Sequence, residues 1–278
     1  MYAVYYKIRN LRLPINLQLK TSDSLVAPIL LYGWEILGIG KKYNIEKVHL
    51  QCLKRILNVR ATTPILSVYG KLGRYPLDIS IKSRLLFNLY NEGNHELLLV
   101  RHVENIFDSI GLSFIFSNQM PVNVNWIKVN IKQILVDQFV QNWRSQIANS
   151  SRGNFYSIFK QDFCLEPYLL RVDQQYRNFI AKFRVSSMKL PIETGRWYNI
   201  SKEHRKCTKC SENLIDDEFH YLFICSHPEI VNLRVRYIPN YFLRNSNAEK
   251  MAGMLSLCHI KLLSNLSRFL KGLNRLFS

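Results

Sequence analysis

The chain has 278 residues, 47% of them apolar and 30 of them Tyr or Phe, which excludes an intrinsically disordered polypeptide and allows a sizeable core in one or two domains. Its formal charge of +18 is spread through the body, with 14 Lys and Arg against 6 acidic residues in 1–100, 12 against 7 in 101–200 and 12 against 7 in 201–278, which excludes a detachable basic tail. A folded surface this positive repels itself unless it meets a polyanion, so RNA or DNA is the expected partner and a membrane is not.

The expected elements are helical nearly throughout. In MYAVYYKIRNLRLP, Val4, Ile8 and Leu11 already follow helical spacing with no cap ahead of them, so the chain is expected to start inside a helix, as a piece of a longer protein would. Lys7, Arg9 and Arg12 interrupt any secretory signal there, and an intracellular location with reduced cysteines follows. Cys52, Cys164 and Cys258 stand alone and are read as small buried apolar residues. The apolar run Leu25–Ile39 is shorter than the roughly 20 residues of a membrane span and contains Pro28 and Glu35, so it reads as buried helix, with Thr21, Ser22 and Asp23 supplying N-cap chemistry ahead of it.

NIEKVHLQCLKRIL places Ile45, Val48, Cys52, Leu53 and Ile56 on one face and Lys47, Lys54 and Arg55 away from it. Pro64 and Pro76 punctuate the next segment, and LDISIKSRLLFNLY restarts a helix. Residues 124–147 form a long amphipathic run, 149–154 (NSSRGN) a candidate hinge, and Asp173 opens a further helix. LPIETGRW reads as an extended connector into the most informative stretch of the chain.

That stretch is RKCTKCSENLIDDEFHYLFIC, Arg205 to Cys225. Cys207, Cys210, His220 and Cys225 have the spacing C-x2-C-x9-H-x4-C. Two thiolates two residues apart can grip one ion from a tight turn, and Zn²⁺ favours four N and S ligands in a tetrahedron. His220 and Cys225 are five apart, roughly 140° around an ideal helix, so the helix expected over DDEFHYLFIC must loosen or end before both can face one ion. Pro228, just beyond, disfavours helix in the residue before it. A closed four-ligand site leaves no position for water and is structural, not hydrolytic. Lys206, Lys209 and Arg205 are placed to offset its charge, and His204 and His227 are reserve ligands. Free thiols in a surface loop, or a catalytic Cys–His pair, are the competing readings; the second lacks an orienting third group.

At this point the residues resemble a known family. LQLKTSDSLVAPILLYGWEILG, IEKVHLQCLKRILNVRATTP and VYGKLGRYPLDISIKSRL are similar to the stretch that follows the polymerase palm in non-LTR (LINE-type) retrotransposon reverse transcriptases. KFRVSSMKLPIETGRW followed by KCTKC and DDEFHYLFIC resembles the Cys-Cys-His-Cys region near the end of the same polyproteins. The similarity covers about residues 1–90 and 175–240. It implies a mainly α fold: a thumb-like helical region over 1–98, a helical connector over 99–195, and a small zinc-binding module over 196–278, with Zn²⁺ held by Cys207, Cys210, His220 and Cys225.

The family's aromatic-x-Asp-Asp box, whose carboxylates hold the metals of phosphoryl transfer, does not occur in this sequence. The resemblance therefore implies a reverse transcriptase fragment that is not an enzyme by itself. It would bind template- or primer-like RNA or DNA, or the missing polymerase core of a parent polyprotein. Lys41, Lys42, Lys54, Arg55, Arg60, Arg74 and Arg84 in the first half, and Lys202, Arg205, Lys206 and Lys209 beside the zinc, are the candidate phosphate contacts. Trp197 and Tyr198 are candidate stacking platforms. A zinc-stabilised helical module that binds another protein is the alternative.

Overall fold

A computed structural model describes residues 13–33, 43–92, 104–117, 123–150, 155–256 and 259–277. Among them the architecture is mainly α, and the β-type pairing consists of two isolated bridges. The principal helices are α1, built of Ile15–Thr21, a π segment Ser22–Val26 and Ala27–Leu31; α2, Tyr43–Ile56; α3, Ile65–Leu72; α4, Leu77–Glu92; α5, Val124–Ala148; α6, Gln174–Arg184; α7, Pro228–Tyr237; α8, Ala248–Leu255; and α9, Ile260–Leu276. The expected helical start around Val4, Ile8 and Leu11, and the fate of Trp34, Glu35 and Cys258, lie outside the described residues, as do 151–154 of the candidate hinge. No helix among the described residues is long and apolar enough to cross a membrane.

The chain divides into two compact units, the first comprising Met1–Ile56 and Arg74–Ser145, the second Leu57–Gly73 and Gln146–Ser278. In the first, α2 buries Ile45, Cys52, Leu53 and Ile56 of the face its spacing predicts, with Val48 half-buried and Leu50 buried in addition, while Lys47 and Arg55 stay exposed. It packs against α1 and α4. Glu46 on α2 accepts a hydrogen bond from the Leu77 backbone N–H at 2.9 Å and so caps the start of α4 across 31 residues. Ile79, Leu85 and Leu86 of α4 join Phe107, Ile110, Ile131 and Leu135 in one apolar cluster. α5 begins where Asn123 Oδ1 accepts from the Asn125 and Trp126 amides.

One expectation fails here. Thr21, Ser22 and Asp23 do not cap a helix; they lie inside α1, which starts seven residues earlier than Ser22, behind Pro14. Thr21 Oγ1 donates to the Leu17 carbonyl at 2.8 Å within the helix, Asp23 pairs with the distant Arg74 at 2.8 Å, and the buried Ser22 hydroxyl has no hydrogen-bond partner.

The second unit is organised by α9, whose Leu263, Leu266, Phe269, Leu270 and Leu273 are all buried. α6 and α7 pack on it. Gly272 permits close approach to α7, since a Cβ there would stand 2.8 Å from both methyl carbons of Leu233. α6 begins after Asp173 as the sequence predicts, although the Asp173 side chain makes no cap bond. Gly73, with φ +57°, ends α3 and lets the chain pass against Cys164–Leu165, where Leu72 and Leu165 form an antiparallel bridge.

Two further expectations are corrected. Residues 190–197 are not extended, because Pro191 at the first helical position starts a turn of helix, Pro191–Thr194. Cys52 is buried, but Cys164 is exposed: it sits on the stretch 161–167 between single-turn helices, its carbonyl taken by Lys160 Nζ and its neighbour Leu165 bridged to Leu72.

Candidate metal centre

The four residues singled out by spacing are brought together. One ligand atom from each of Cys207, Cys210, His220 and Cys225 lies within 4.8 Å of all the others, so the group could hold a metal ion. Cys207 Sγ is 4.0 Å from Cys225 Sγ, and Cys210 Sγ is 3.4 Å from His220 Nε2. Cys207, His220 and Cys225 are buried, while Cys210 is half-buried.

Two local structures position them. The first is a minimal hairpin in which Lys206 and Ile215 form an antiparallel bridge, the Cys207 N–H donates to Leu214 O at 3.0 Å, and the Asp216 N–H donates to Arg205 O at 2.9 Å. Asn213, with φ +56°, closes its turn, a conformation Asn tolerates better than other residues with a Cβ. The Lys209 amide points at Cys207 Sγ from 3.4 Å, leaving Cys210 on the same side of the tight turn.

The second is a helical turn capped by Asp217, whose Oδ1 accepts from the His220 N–H at 2.9 Å. From His220 to Ile224 it widens into π-helix, and the Cys225 N–H donates to His220 O at 2.8 Å. An i→i+5 hydrogen bond brings the residue five positions on nearer to the face of the first than an ideal α-helix does. The loosening that an ideal helix would have to undergo is therefore built in as a π turn.

The reserve ligands stay outside the group. His204 is exposed and its Nδ1 pairs with Ser201 Oγ at 2.6 Å, and His227 Nδ1 is buried without a partner.

The electrostatics contain a residue that the sequence reading missed. Arg234 of α7 is 8% exposed; its NH2 donates to Cys225 O at 2.5 Å and its NH1 to Phe223 O at 3.3 Å. It thereby holds the carbonyl ends of the π turn and places a guanidinium near the Cys225 and Cys210 sulfurs, with which it interacts electrostatically. A buried Arg six residues after Pro228 was the available signal, but NLRVRY reads as an ordinary amphipathic stretch.

Burial pushes the metal-free Cys225 thiol up to about 12. At Cys210 burial also acts upward, but hydrogen bonds from the Glu212 and Ser226 amides, together with those to Cys207 and Cys225, outweigh it and draw this thiol below the ordinary value. Burial, then Arg234, lowers His220, which favours the neutral imidazole that a metal needs. Burial also pushes Asp216 and Glu218 up to about 7 each.

The basic residues fall into several environments. Lys41 and Lys42 lie outside the described residues. In the first unit, Arg55 and Arg84 are exposed, Lys54 is half-buried, and Arg74 pairs with Asp23. In the second unit, Arg60 donates to Met188 O at 3.1 Å with its guanidinium 4.9 Å from the Trp197 ring centre. Arg205 is committed to the fold: Nε and NH2 donate to Ile200 O and NH1 to Ile192 O. Lys202 and Lys206 are exposed, and Lys209 lies over the Phe277 ring at 5.1 Å. Trp197 and Tyr198 are 49% and 75% exposed. No protein-family model, curated protein or solved structure matches the chain.

Proposed function

We propose that the second unit is a zinc-stabilised nucleic-acid-binding module and that the chain derives from the C-terminal part of a non-LTR retrotransposon reverse transcriptase, acting by binding RNA or DNA and not by catalysis. The observation that carries this reading is the convergence of the four ligand atoms. With Zn–S at about 2.3 Å and Zn–N at about 2.0–2.1 Å, tetrahedral geometry requires separations of about 3.8 Å between sulfurs and about 3.5 Å between sulfur and nitrogen. The 4.0 Å and 3.4 Å separations fit an ion of that size and those ligands. Three thiolates select against the harder cations Mg²⁺ and Ca²⁺. The ion would supply no chemistry beyond cross-linking the hairpin to the π turn.

Nucleic acid is favoured by the surplus of 18 positive charges and by the exposed set Trp197, Tyr198, Lys202 and Lys206 on the approach to the hairpin. Binding of a fluorescent single-stranded oligonucleotide to the zinc-loaded chain, measured between about 50 and 200 mM salt, tests the proposal. Affinity should fall steeply, and Lys202→Gln with Lys206→Gln should flatten the logarithmic salt slope by about 0.7 per lysine. Undetectable or salt-independent binding would overturn it. One observation favours the protein-partner alternative: Leu25, Ile29 and Tyr32 are 49%, 58% and 88% exposed along α1 and just past its end. A salt-insensitive complex lost on replacing Ile29 by Asp would support that reading.

A further inference from the structure

The second unit carries an open pocket of about 450 Å³ bordered by Phe159, Lys160, Cys164, Glu166, Tyr168 and Arg184. At its wall lies a buried ionic cluster, remote in sequence from the metal ligands. Glu166, 2% exposed, accepts at Oε2 from Lys71 Nζ at 2.8 Å and from Arg184 NH1 at 3.0 Å. Lys71 is fully buried and also donates to the Tyr168 hydroxyl at 3.1 Å. Lys160, 7% exposed, donates to Cys164 O at 2.7 Å.

Three buried cations thus face one buried carboxylate, a surplus of two positive charges when all are ionised. Burying charge without a counter-charge is costly, and the cluster shows the strain. Burial, aided by Arg184 and Lys160 against the pull of Glu166, pushes Lys71 down to about 7. Arg184 is held flat, its guanidinium carbon 4.4 Å from the Phe159 ring centre and 4.9 Å from that of Tyr168. Its NH1 is engaged by Glu166, but its Nε is buried without a hydrogen-bond partner, as is the other carboxylate oxygen of Glu166, Oε1. A planar, fixed guanidinium with an unused edge is the arrangement that grips an oxyanion.

We propose that this pocket is a binding site for the phosphate group of a small phosphate monoester. A phosphate monoester carries about −1.5 to −2 at pH 7, which offsets a surplus lying between one and two there, since Lys71 is only partly ionised; a carboxylate carries at most −1. The pocket exceeds what a phosphate group fills and falls within the roughly 300–1,000 Å³ of small-molecule sites, so it accommodates the body of the ligand as well. Asp162 also borders it, but stands exposed at the mouth, where water screens its charge. The site is independent of the metal centre and of the reading built on it.

The zinc-loaded 278-residue chain would be titrated with AMP, inorganic phosphate, and a trinucleotide with either a 5′-phosphate or a 5′-hydroxyl, against potassium chloride at matched ionic strength. AMP should raise the melting temperature above the chloride control and slow alkylation of the exposed Cys164 by iodoacetamide, located by mass spectrometry. Stabilisation by the 5′-phosphorylated but not the 5′-hydroxyl trinucleotide would identify a nucleic-acid end as the source of the phosphate; AMP alone would identify a free metabolite. Lys160→Gln should weaken binding at least about tenfold, the lower end for losing a charge-assisted hydrogen bond. Protection of Cys164 is read on the unaltered chain, so the test stands even if cluster variants fail to fold. The proposal is overturned if AMP and phosphate act no differently from chloride and leave Cys164 alkylation unchanged, or if Lys160→Gln retains full affinity.

Discussion

Replacing Cys225 by Ser removes one sulfur from the metal centre and almost nothing else. The two side chains have similar shape, the Cys225 N–H bond to His220 O and the Arg234 bond to Cys225 O are backbone contacts on the Cys225 side, and the side chain is fully buried. Structural zinc sites contribute roughly 10–16 kcal/mol of binding free energy, so one ligand of four accounts for about 3 kcal/mol, or about two orders of magnitude in affinity. At zinc a hundredfold above the parent Kd, bound metal adds about 2.7 kcal/mol of stability, and a hundredfold weaker site at the same zinc adds only about 0.4 kcal/mol. Competition with a chromophoric chelator gives the affinity, and denaturant unfolding with and without EDTA gives the stability. Hydrogen exchange should show the loss of protection confined first to residues 205–227, which carry the hairpin and the π turn that the proposed ion would cross-link. If Cys225→Ser bound zinc within about threefold of the parent, or if Cys164→Ser lost as much, the four residues would not be ligands.

Zinc affinity should also fall with decreasing pH, because each thiol must release its proton to bind. Metal holds the folded-state thiols ionised far below their unfolded value of about 8.5, so this stabilisation is fully present above that value and is lost on acidification, which chelator competition between pH 5.5 and 8 would follow. Glu218 gives the opposite sign in metal-free protein. Its folded value near 7 exceeds the ordinary carboxyl value near 4.3, so the unfolded chain ionises first and stability falls as pH rises from about 4 to about 7. Glu218→Gln should flatten that slope in urea unfolding series. Gly73→Ala should destabilise the protein by about 2 kcal/mol or more, since φ is +57° and the new Cβ would stand 2.6 Å from the Leu165 backbone nitrogen; an unchanged urea midpoint would refute this. Phe269→Ala, fully buried on α9, should cost about 3–5 kcal/mol by the same assay.

The helical class, most of the buried face of α2, the helix starts after Pro76 and Asp173, and the grouping of Cys207, Cys210, His220 and Cys225 were readable from the chain alone. They are legible because periodicity, proline and short-range ligand spacing act within one or two turns of chain. Thr21–Asp23 and residues 190–197 were misread, because local cap and turn chemistry there fits more than one conformation and the neighbouring Pro14 and Pro191 decided between them. Long-range packing was needed to establish that α3 belongs with residues 146–278, that Arg234 and not the adjacent lysines lies against the ligand sulfurs, and that Lys71, Glu166 and Arg184 share one buried cluster. Lys71 and Glu166 are 95 residues apart. At that separation no spacing rule applies, and an ionic residue is placed by the packing of the helices that carry it.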